Sequence, residues 1–405
     1  MKNEIRWNQY QGEEIRGYAF VDVVSKPNEG INSYQRLNIV FDVISASAFH
    51  AGRGVMDDPK DLWIVRIMST LSRLQSLFFI EDITEGTWFS VAFQDKEGNP
   101  PAWVLEATDD YNGPIKRTNL VRLQPISLRQ PGSPETNLHD RLSELCKSNE
   151  GQTTQNLDLR IISSQLEENY FVRVIDVGHA NFAAIHLSRN PDSNIVGYFD
   201  VGGPVFFHHH SFPNTFPESN RVPAQGFVAL SHWDFDHYSL AVTKLKDLQK
   251  LRWFAPNQTV GPNAIRLQFQ LGGNLTFITQ PSFQIAQRLD LWKGTGSVTD
   301  RNNSGYVMTV SSQTTKVLLT GDVGYDMIPT QAKSNLSALG ITHHGGSGSG
   351  TPPSPMNGQG VAAVSFGVPN YYHHPDVNNL MNHTAVGWTV NPTFVTKTQR
   401  GDVWL

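Results

Sequence analysis

Apolar and polar positions alternate in two different rhythms along this chain. In the first third, "GYAFVDVV" (17–24) and "RLNIVFDVIS" (36–45) are dominated by β-branched and aromatic residues and predict strands. "TWFSVAF" and "PAWVLEA" predict two more, separated by the turn-forming "DKEGNPP". Asp58 followed by Pro59 reads as a helix start, and Ile64, Ile67, Leu71, Leu74 and Phe78 recur at steps of three and four. That spacing predicts a helix over 58–79. "NLHDRLSELCKS" (137–148) predicts a short helix, and the polar "SNEGQTTQN" (148–156) a linker.

From about residue 160 the rhythm becomes short strands punctuated by glycine. "YFVRVIDVGHANFAAIHL" predicts two strands around Gly178, "VGYFDVGG" a third ending at Asp200, and "GFVALS" a fourth. "AVTKLKDLQKLRWF" (241–254) predicts a helix with Leu245, Leu248 and Leu251 on one side. Later strands are expected in "LTFITQ", "GYVMTVSS", "TKVLLTGD", "ALGITHHGG", "GVAAVSFG" and "DVWL".

Composition sharpens this division. The 405 residues are 39% hydrophobic and 10% aromatic, as in a soluble globular protein. No apolar run approaches the roughly 20 residues of a membrane span, and the start of the chain lacks a signal-peptide pattern. The single cysteine, Cys146, excludes an intrachain disulfide and a cysteine-rich zinc cluster, so a cytoplasmic setting is expected. A net charge of −5 argues against a strongly basic nucleic-acid binder. The first 167 residues carry −6 and the remainder +1, and 12 of the 14 histidines lie in the remainder. The expected organisation is an N-terminal α+β domain over 1–150, a linker over 151–165 and a chemically active domain over 166–405. The acidic N-terminal domain has no metal-ligand spacing and is read as serving selection or assembly, including contact with a protein partner.

The densest chemistry is "SHWDFDHYS" (231–239), directly after an apolar strand. His232, Asp234, Asp236 and His237 could not be buried together without a compensating partner. With Asp322 after "KVLLTG" and His344 in "HHGG", they form a ligand supply suited to two divalent ions. Other basic groups have plainer readings. "HHH" (208–210) is expected on a solvated loop near the pocket, and Lys244, Lys246, Lys250 and Arg252 on a solvated helix face.

"SHWDFDH" resembles the HxHxDH motif of the metallo-β-lactamase superfamily, in the HxDxDH form of the hydrolase domain of the bacterial DNA-uptake (ComEC) family. "IDVGHANFAAIHL", "FDVGG", "NNSGYVMTV", "LLTGDV", "ITHHGGSGSG" and "AVSFGVPNYYHHPD" resemble that family's further motifs in the same order, over roughly 168–405. The resemblance implies a four-layer αββα sandwich. It implies one ion held by His232 and Asp234, another by Asp236, His237 and His344, and Asp322 bridging them. The ions would be manganese or zinc, with magnesium as a further option, and a metal-activated hydroxide would be the nucleophile. Asp236 would also orient that nucleophile, and His374 would act on the leaving group. His179, Asn181, Asn303, Ser304, His343, Ser347 and Asn370 would line the substrate pocket. The sequence departs from the family at "VGHAN", where Gln and Asp are expected in place of His179 and Asn181. It also lacks a third histidine for the first ion, a place assigned here to Asn303 or Ser304.

The function expected is hydrolysis of phosphodiester bonds, with DNA or RNA as substrate. A small-molecule or nucleotide phosphodiesterase, and a non-catalytic metal-binding regulator, are the competing readings.

Overall fold

In the computed structural model the described residues are 14–25, 36–96, 98–108, 111, 113–126, 134–146, 152–153, 169–192, 194–204, 206–370 and 372–405. The protein is mixed α+β, mostly sheet, and its backbone divides into two compact units. The first comprises 1–149 with 259–270, and the second 150–258 with 271–405.

The first unit is built on a closed six-stranded barrel. Its strands are β1 (Glu14–Ser25), β2 (Arg36–Ser45), β3 (Leu62–Thr70), β4 (Trp88–Gln94), β5 (Pro101–Glu106) and β6 (Lys116–Pro125), in the order β1-β2-β3-β5-β6-β4. Alternate residues point inward, so Ala19 and Val21, Phe41 and Val43, and Val91 and Phe93 fill the interior with Trp63 and Val65. Inside the same unit, both carboxylate oxygens of Asp42 accept from the Asn263 backbone N–H at the start of the helix Pro262–Leu271. Tyr111 donates to Asn263 Oδ1 at 2.6 Å.

Here the structure corrects the helix expected over 58–79. Asp58 does cap a start, accepting from Lys60 N, but the turn it caps spans only Pro59–Asp61. The chain then runs as β3, and a helix begins only at Leu71 (Leu71–Phe78), capped by Thr70. β3 pairs with strands on both sides and is buried on both faces, so apolar residues fall at almost every position. Such a run satisfies a three-and-four count by coincidence, while Trp63, Ile64, Val65 and Ile67 favour extended backbone.

The second unit contains two sheets. One has eight strands in the order β21-β8-β9-β10-β11-β12-β13-β7. These are β7 (Gln152–Thr153), β8 (Phe171–Val174), β9 (Phe182–His186), β10 (Ile195–Val201), β11 (Phe227–Ala229), β12 (Arg252–Pro256), β13 (Leu275–Ile278) and β21 (Val403–Trp404). The other runs β14-β15-β16-β17-β18-β19-β20. Its strands are β14 (Ser282–Ala286), β15 (Leu289–Lys293), β16 (Tyr306–Ser311), β17 (Lys316–Leu319), β18 (Ala338–Gly340), β19 (Gly360–Val364) and β20 (Trp388–Pro392).

One apolar core joins the sheets: Val172, Ile185, Phe199, Phe227 and Phe254 from the first meet Leu291, Tyr306, Met308 and Leu319 from the second. The opposite face of the seven-stranded sheet packs Val307, Leu318 and Leu339 against Ala332, Leu336 and Leu380. The helix Phe235–Val242 packs beside β10, and Ser239 Oγ both accepts from Gly203 N and donates to Gly203 O.

A second correction falls on 241–254. The helix Phe235–Val242 stops there, a single 3₁₀ segment spans Lys246–Lys250, and Arg252–Pro256 forms β12. Leu245, Leu248 and Leu251 are buried as their spacing implies, but on irregular backbone. Parallel pairing of β12 with both β11 and β13 outweighs the helical period. The helix expected at 137–148 is present as Pro134–Leu145. Of the expected linker over 148–156, only Gln152 and Thr153 lie within the described residues.

Candidate metal centre

Strands β10 and β11 are parallel, as are β17, β18 and β19. Their carboxyl ends therefore deliver loops to one rim, the usual place for ligands in such sheets. Asp200 comes from the end of β10, Ser231 and His232 follow β11, Asp322 follows β17, His343 and His344 follow β18, and Ser365 follows β19. The two sheets are stitched at this rim by Tyr306 N, which donates to Ser231 O at 2.8 Å.

Close approach at the rim requires glycine. A Cβ on Gly202 would lie 1.6 Å from Asp236 O and 2.9 Å from Asn181 O, so only hydrogen lets these segments meet. The backbone is also strained where it presents ligands. His343 and His344 both adopt left-handed dihedrals (φ 50° and 53°), a conformation costing a non-glycine residue about 1–3 kcal/mol.

Three imidazoles are fixed by their Nδ1 atoms. His344 Nδ1 lies 2.9 Å from Ser365 O, and a carbonyl can only accept, so Nδ1 carries the proton. His237 Nδ1 lies 2.9 Å from Asp200 Oδ2 and donates to that carboxylate. Ser231 Oγ gives its only proton to Asp200 Oδ2, so its oxygen accepts from His232 Nδ1 at 3.0 Å. In each neutral ring the bare lone pair is then on Nε2. The Nε2 atoms of His232, His237 and His344 are all buried without a hydrogen bond.

The carboxylates surround these nitrogens. Asp234 Oδ2 lies 3.3 Å from His232 Nε2, Asp322 Oδ1 lies 3.5 Å from His237 Nε2, and Asp236 Oδ2 lies 3.6 Å from His344 Nε2. Among the described residues, donor atoms of His232, His237 and Asp322 fall within 4.8 Å of one another, as do those of Asp236, His237 and His344. His237 belongs to both groups, but its one available nitrogen can serve only one ion.

Burial pushes the Asp322 carboxyl up, yet His343 and His237 outweigh this and hold it well below the usual range. Burial likewise opposes ionisation of Asp234, and Arg301 with His232 brings it down to about 2. Asp236 is lowered against its burial by His237 and His344. Burial lowers His237, but Asp200 and Asp322 raise it well above its ordinary value. The field at this point favours positive charge.

The residues fit divalent cations. Three buried nitrogens point lone pairs into a space walled by three ionised carboxylates, and each ring is held from behind by an acceptor, as metal-binding histidines usually are.

Other expected site residues fall as follows. Asn181 Nδ2 donates to Asp322 Oδ1 at 3.0 Å, and His343 Nδ1 lies 2.9 Å from Asp322 Oδ2, so both hold that carboxylate. His179 is buried, with its ring 4.5 Å from that of His344, 5.2 Å from Tyr372 and 5.5 Å from His374. Asn370 accepts from His374 N and donates to His374 O, fixing that turn. Ser347 is exposed.

Asn303 and Ser304, the residues expected in the third position, are engaged in hydrogen bonds between loops. Asn303 donates to Asp300 Oδ2 and accepts from Gly324 N, and Ser304 Oγ lies 3.0 Å from Gln258 Nε2. Their side chains hold loops. Beside Asp234 stands Arg301, buried, with Nη2 2.8 Å from Asp234 Oδ1.

Sequence reasoning also missed Asp200, Ser231 and Ser365, which orient the histidines. The available signal was their place in the quoted motifs "FDVGG", "SHWDFDH" and "AVSFG", at strand ends flanking the histidine loops. Asp200→Asn keeps the shape but weakens the grip on His237 and Ser231. It should lower metal affinity about 10–100-fold, read by competition with a chelating dye, while the circular dichroism spectrum is retained.

No protein-family model matches the chain, and no curated protein matches it. Among solved structures, it is similar to the metallo-β-lactamase fold protein YhfI from Bacillus subtilis, at 16% identity and a TM-score of 0.35, over 58% of this chain and 99% of that one. It is also similar to CmlA, a diiron β-hydroxylase from Streptomyces venezuelae (14%, TM-score 0.29, 74% and 53%). A long form RNase Z from yeast matches at 11% and a TM-score of 0.33, over 75% and 50%. At TM-scores this low the likenesses carry no argument.

Proposed function

We propose that the second unit is a metal-dependent hydrolase of the αββα metallo-β-lactamase type that cleaves phosphodiester bonds, with nucleic acid as its first substrate. One observation carries this reading: His232, His237 and His344 turn bare, buried Nε2 atoms toward Asp234, Asp236 and Asp322 at the rim of two packed sheets. His232 and Asp234 would hold one ion, and Asp236, His237 and His344 the other, with Asp322 between them. Divalent ions bound there would supply Lewis acidity and an activated water, and two of them suit phosphoryl chemistry.

The chain's own groups do the rest. Asn181 and His343 hold Asp322 in place from either side, and Asp236 would orient the attacking water. His374, whose backbone is held by Asn370, has its ring 5.0 Å from that of His343 and 5.5 Å from that of His179, and in its protonated form it would give a proton to the departing oxygen. Half of the six donor residues are carboxylates, which moves metal preference from zinc toward manganese or magnesium. The barrel of the first unit serves selection or assembly.

The reading is tested by assaying single-stranded DNA, duplex DNA, RNA and a nitrophenyl phosphodiester with manganese, zinc and magnesium. Manganese should give the highest rate, and cleavage of the polymers should weaken steeply with salt. Cleavage of none of the four with any metal would overturn the reading. His374→Ala should keep its metal and lose about a hundredfold in kcat on a dinucleotide, but much less on the nitrophenyl diester, whose leaving group hardly needs a proton. An equal loss on both substrates would remove the acid role.

A further inference from the structure

A cavity of about 810 Å³ lies in the second unit outside the donor set, a volume typical of small-ligand sites. Its acidic lining is already neutralised. Asp176 is paired with Arg400, Glu218 with Arg173 and Arg221, and Asp402 with Arg173. Three aromatic rings, Phe212, Phe216 and Phe394, form apolar walls, with the exposed side chains of Asn214 and Thr215 beside them. Lys397 also lines the cavity and is exposed. Lys244, read from the sequence as part of a solvated face, is exposed with its Nζ 5.1 Å from the Phe212 ring centre. The surroundings therefore combine aromatic faces, hydrogen-bonding tips and two lysine charges that form no ion pair among the described residues.

Two backbone turns separate this cavity from the donor set and touch both. In the first, Asp176 lines the cavity, while Asn181 holds Asp322. Between them His179 N donates to Ser211 Oγ at 3.1 Å, in the loop that carries Phe212 and Phe216. Gly178 sits there at φ 78°, and a Cβ on it would lie 2.5 Å from Ser211 O, so this turn packs directly on the loop that lines the cavity. In the second, Val368 and Pro369 line the cavity, and Asn370 immediately after them fixes His374.

We propose that the cavity is a nucleotide subsite. It takes the base and phosphate of the nucleotide next to the scissile phosphodiester, with the base against Phe216 and Phe212 and the phosphate charge met by Lys397. This rests on the phosphodiesterase reading and names its substrate class: a nucleotide polymer or dinucleotide, rather than a diester without bases. Stacking on an aromatic side chain is worth about 1–3 kcal/mol per base and tolerates any base, because each has a π face.

The probe is adenosine 5′-monophosphate, titrated by calorimetry into the full chain stripped of metal, so that its phosphate has no ion to bind. Wild type should bind it, and Phe216→Ala and Lys397→Glu should each weaken binding about tenfold. With metal restored, both variants should lower kcat/KM for a dinucleotide relative to bis(nitrophenyl) phosphate by about the same factor, through KM. Lys397→Glu alters an exposed position, so its thermal transition should match wild type and separate a binding defect from misfolding. No binding of the nucleotide, or binding and a rate ratio that neither variant changes, would overturn the subsite. Failure of the parent reading is distinct: wild type would then cleave neither diester with any metal, whatever the nucleotide titration shows.

Discussion

Asp322→Ala should lose more than about a thousandfold in kcat/KM on any phosphodiester, equivalent to about 4 kcal/mol of transition-state stabilisation. Three groups meet this carboxylate: His237, His343 and Asn181. On the proposed reading, truncation removes the one ligand that would stand between two ions. It also leaves the amide of Asn181 and the ring of His343 without their acceptor. The side chain emerges from a loop after β17 rather than from the sheet core, so the fold should survive, as a retained circular dichroism spectrum would show. Asp322→Asn, which keeps the shape but not the charge, should recover little. Near-wild-type turnover in the alanine variant would rule out a bridging role.

The largest stability effect is expected at Glu218→Ala, with a loss of about 3–5 kcal/mol. Arg173 and Glu218 are each 1% exposed, and Arg173 Nη2 lies 3.1 and 3.0 Å from the two oxygens of Glu218. Burial pushes the Glu218 carboxyl up while Arg173 and Arg221 pull it down, and burial prevails. Removing the carboxylate leaves a buried guanidinium with Asp402, 3.1 Å away, as its one remaining carboxylate among the described residues. The midpoint of denaturant unfolding measures the loss, with an unchanged slope as the check that the same transition is compared. A shift below about 1 kcal/mol, the range of surface pairs, would show that the pair is not buried in solution.

How far the sequence reached depends on what each residue interacts with. His232, Asp234, Asp236, His237, Asp322 and His344 were legible as candidates because ionisable residues gathered on short loops after apolar strands are a local signal. Asp200, Ser231 and Ser365 were not, since each acts by orienting a histidine that is distant in sequence or ordinary in its own context. Arg301 escaped for a related reason. A lone arginine among "TDRNNSG" reads as a surface loop until folding sets it against Asp234. The same limit explains 58–79 and 241–254, where three-and-four spacing was satisfied by segments whose state is decided by strands pairing on either side. Closure of the six-stranded barrel was likewise invisible, because the pairing of β1 with β4 is a long-range choice.

The rim of the two sheets is proposed to be a divalent-metal site that performs hydrolysis. Its most direct test is elemental analysis of the purified full chain and of Asp322→Ala, taken with phosphodiester turnover before and after chelation. The account predicts about two divalent ions per wild-type chain, fewer in the variant, turnover abolished by chelation, and turnover restored by manganese. Substoichiometric metal in wild type, with turnover indifferent to the chelator, would contradict it.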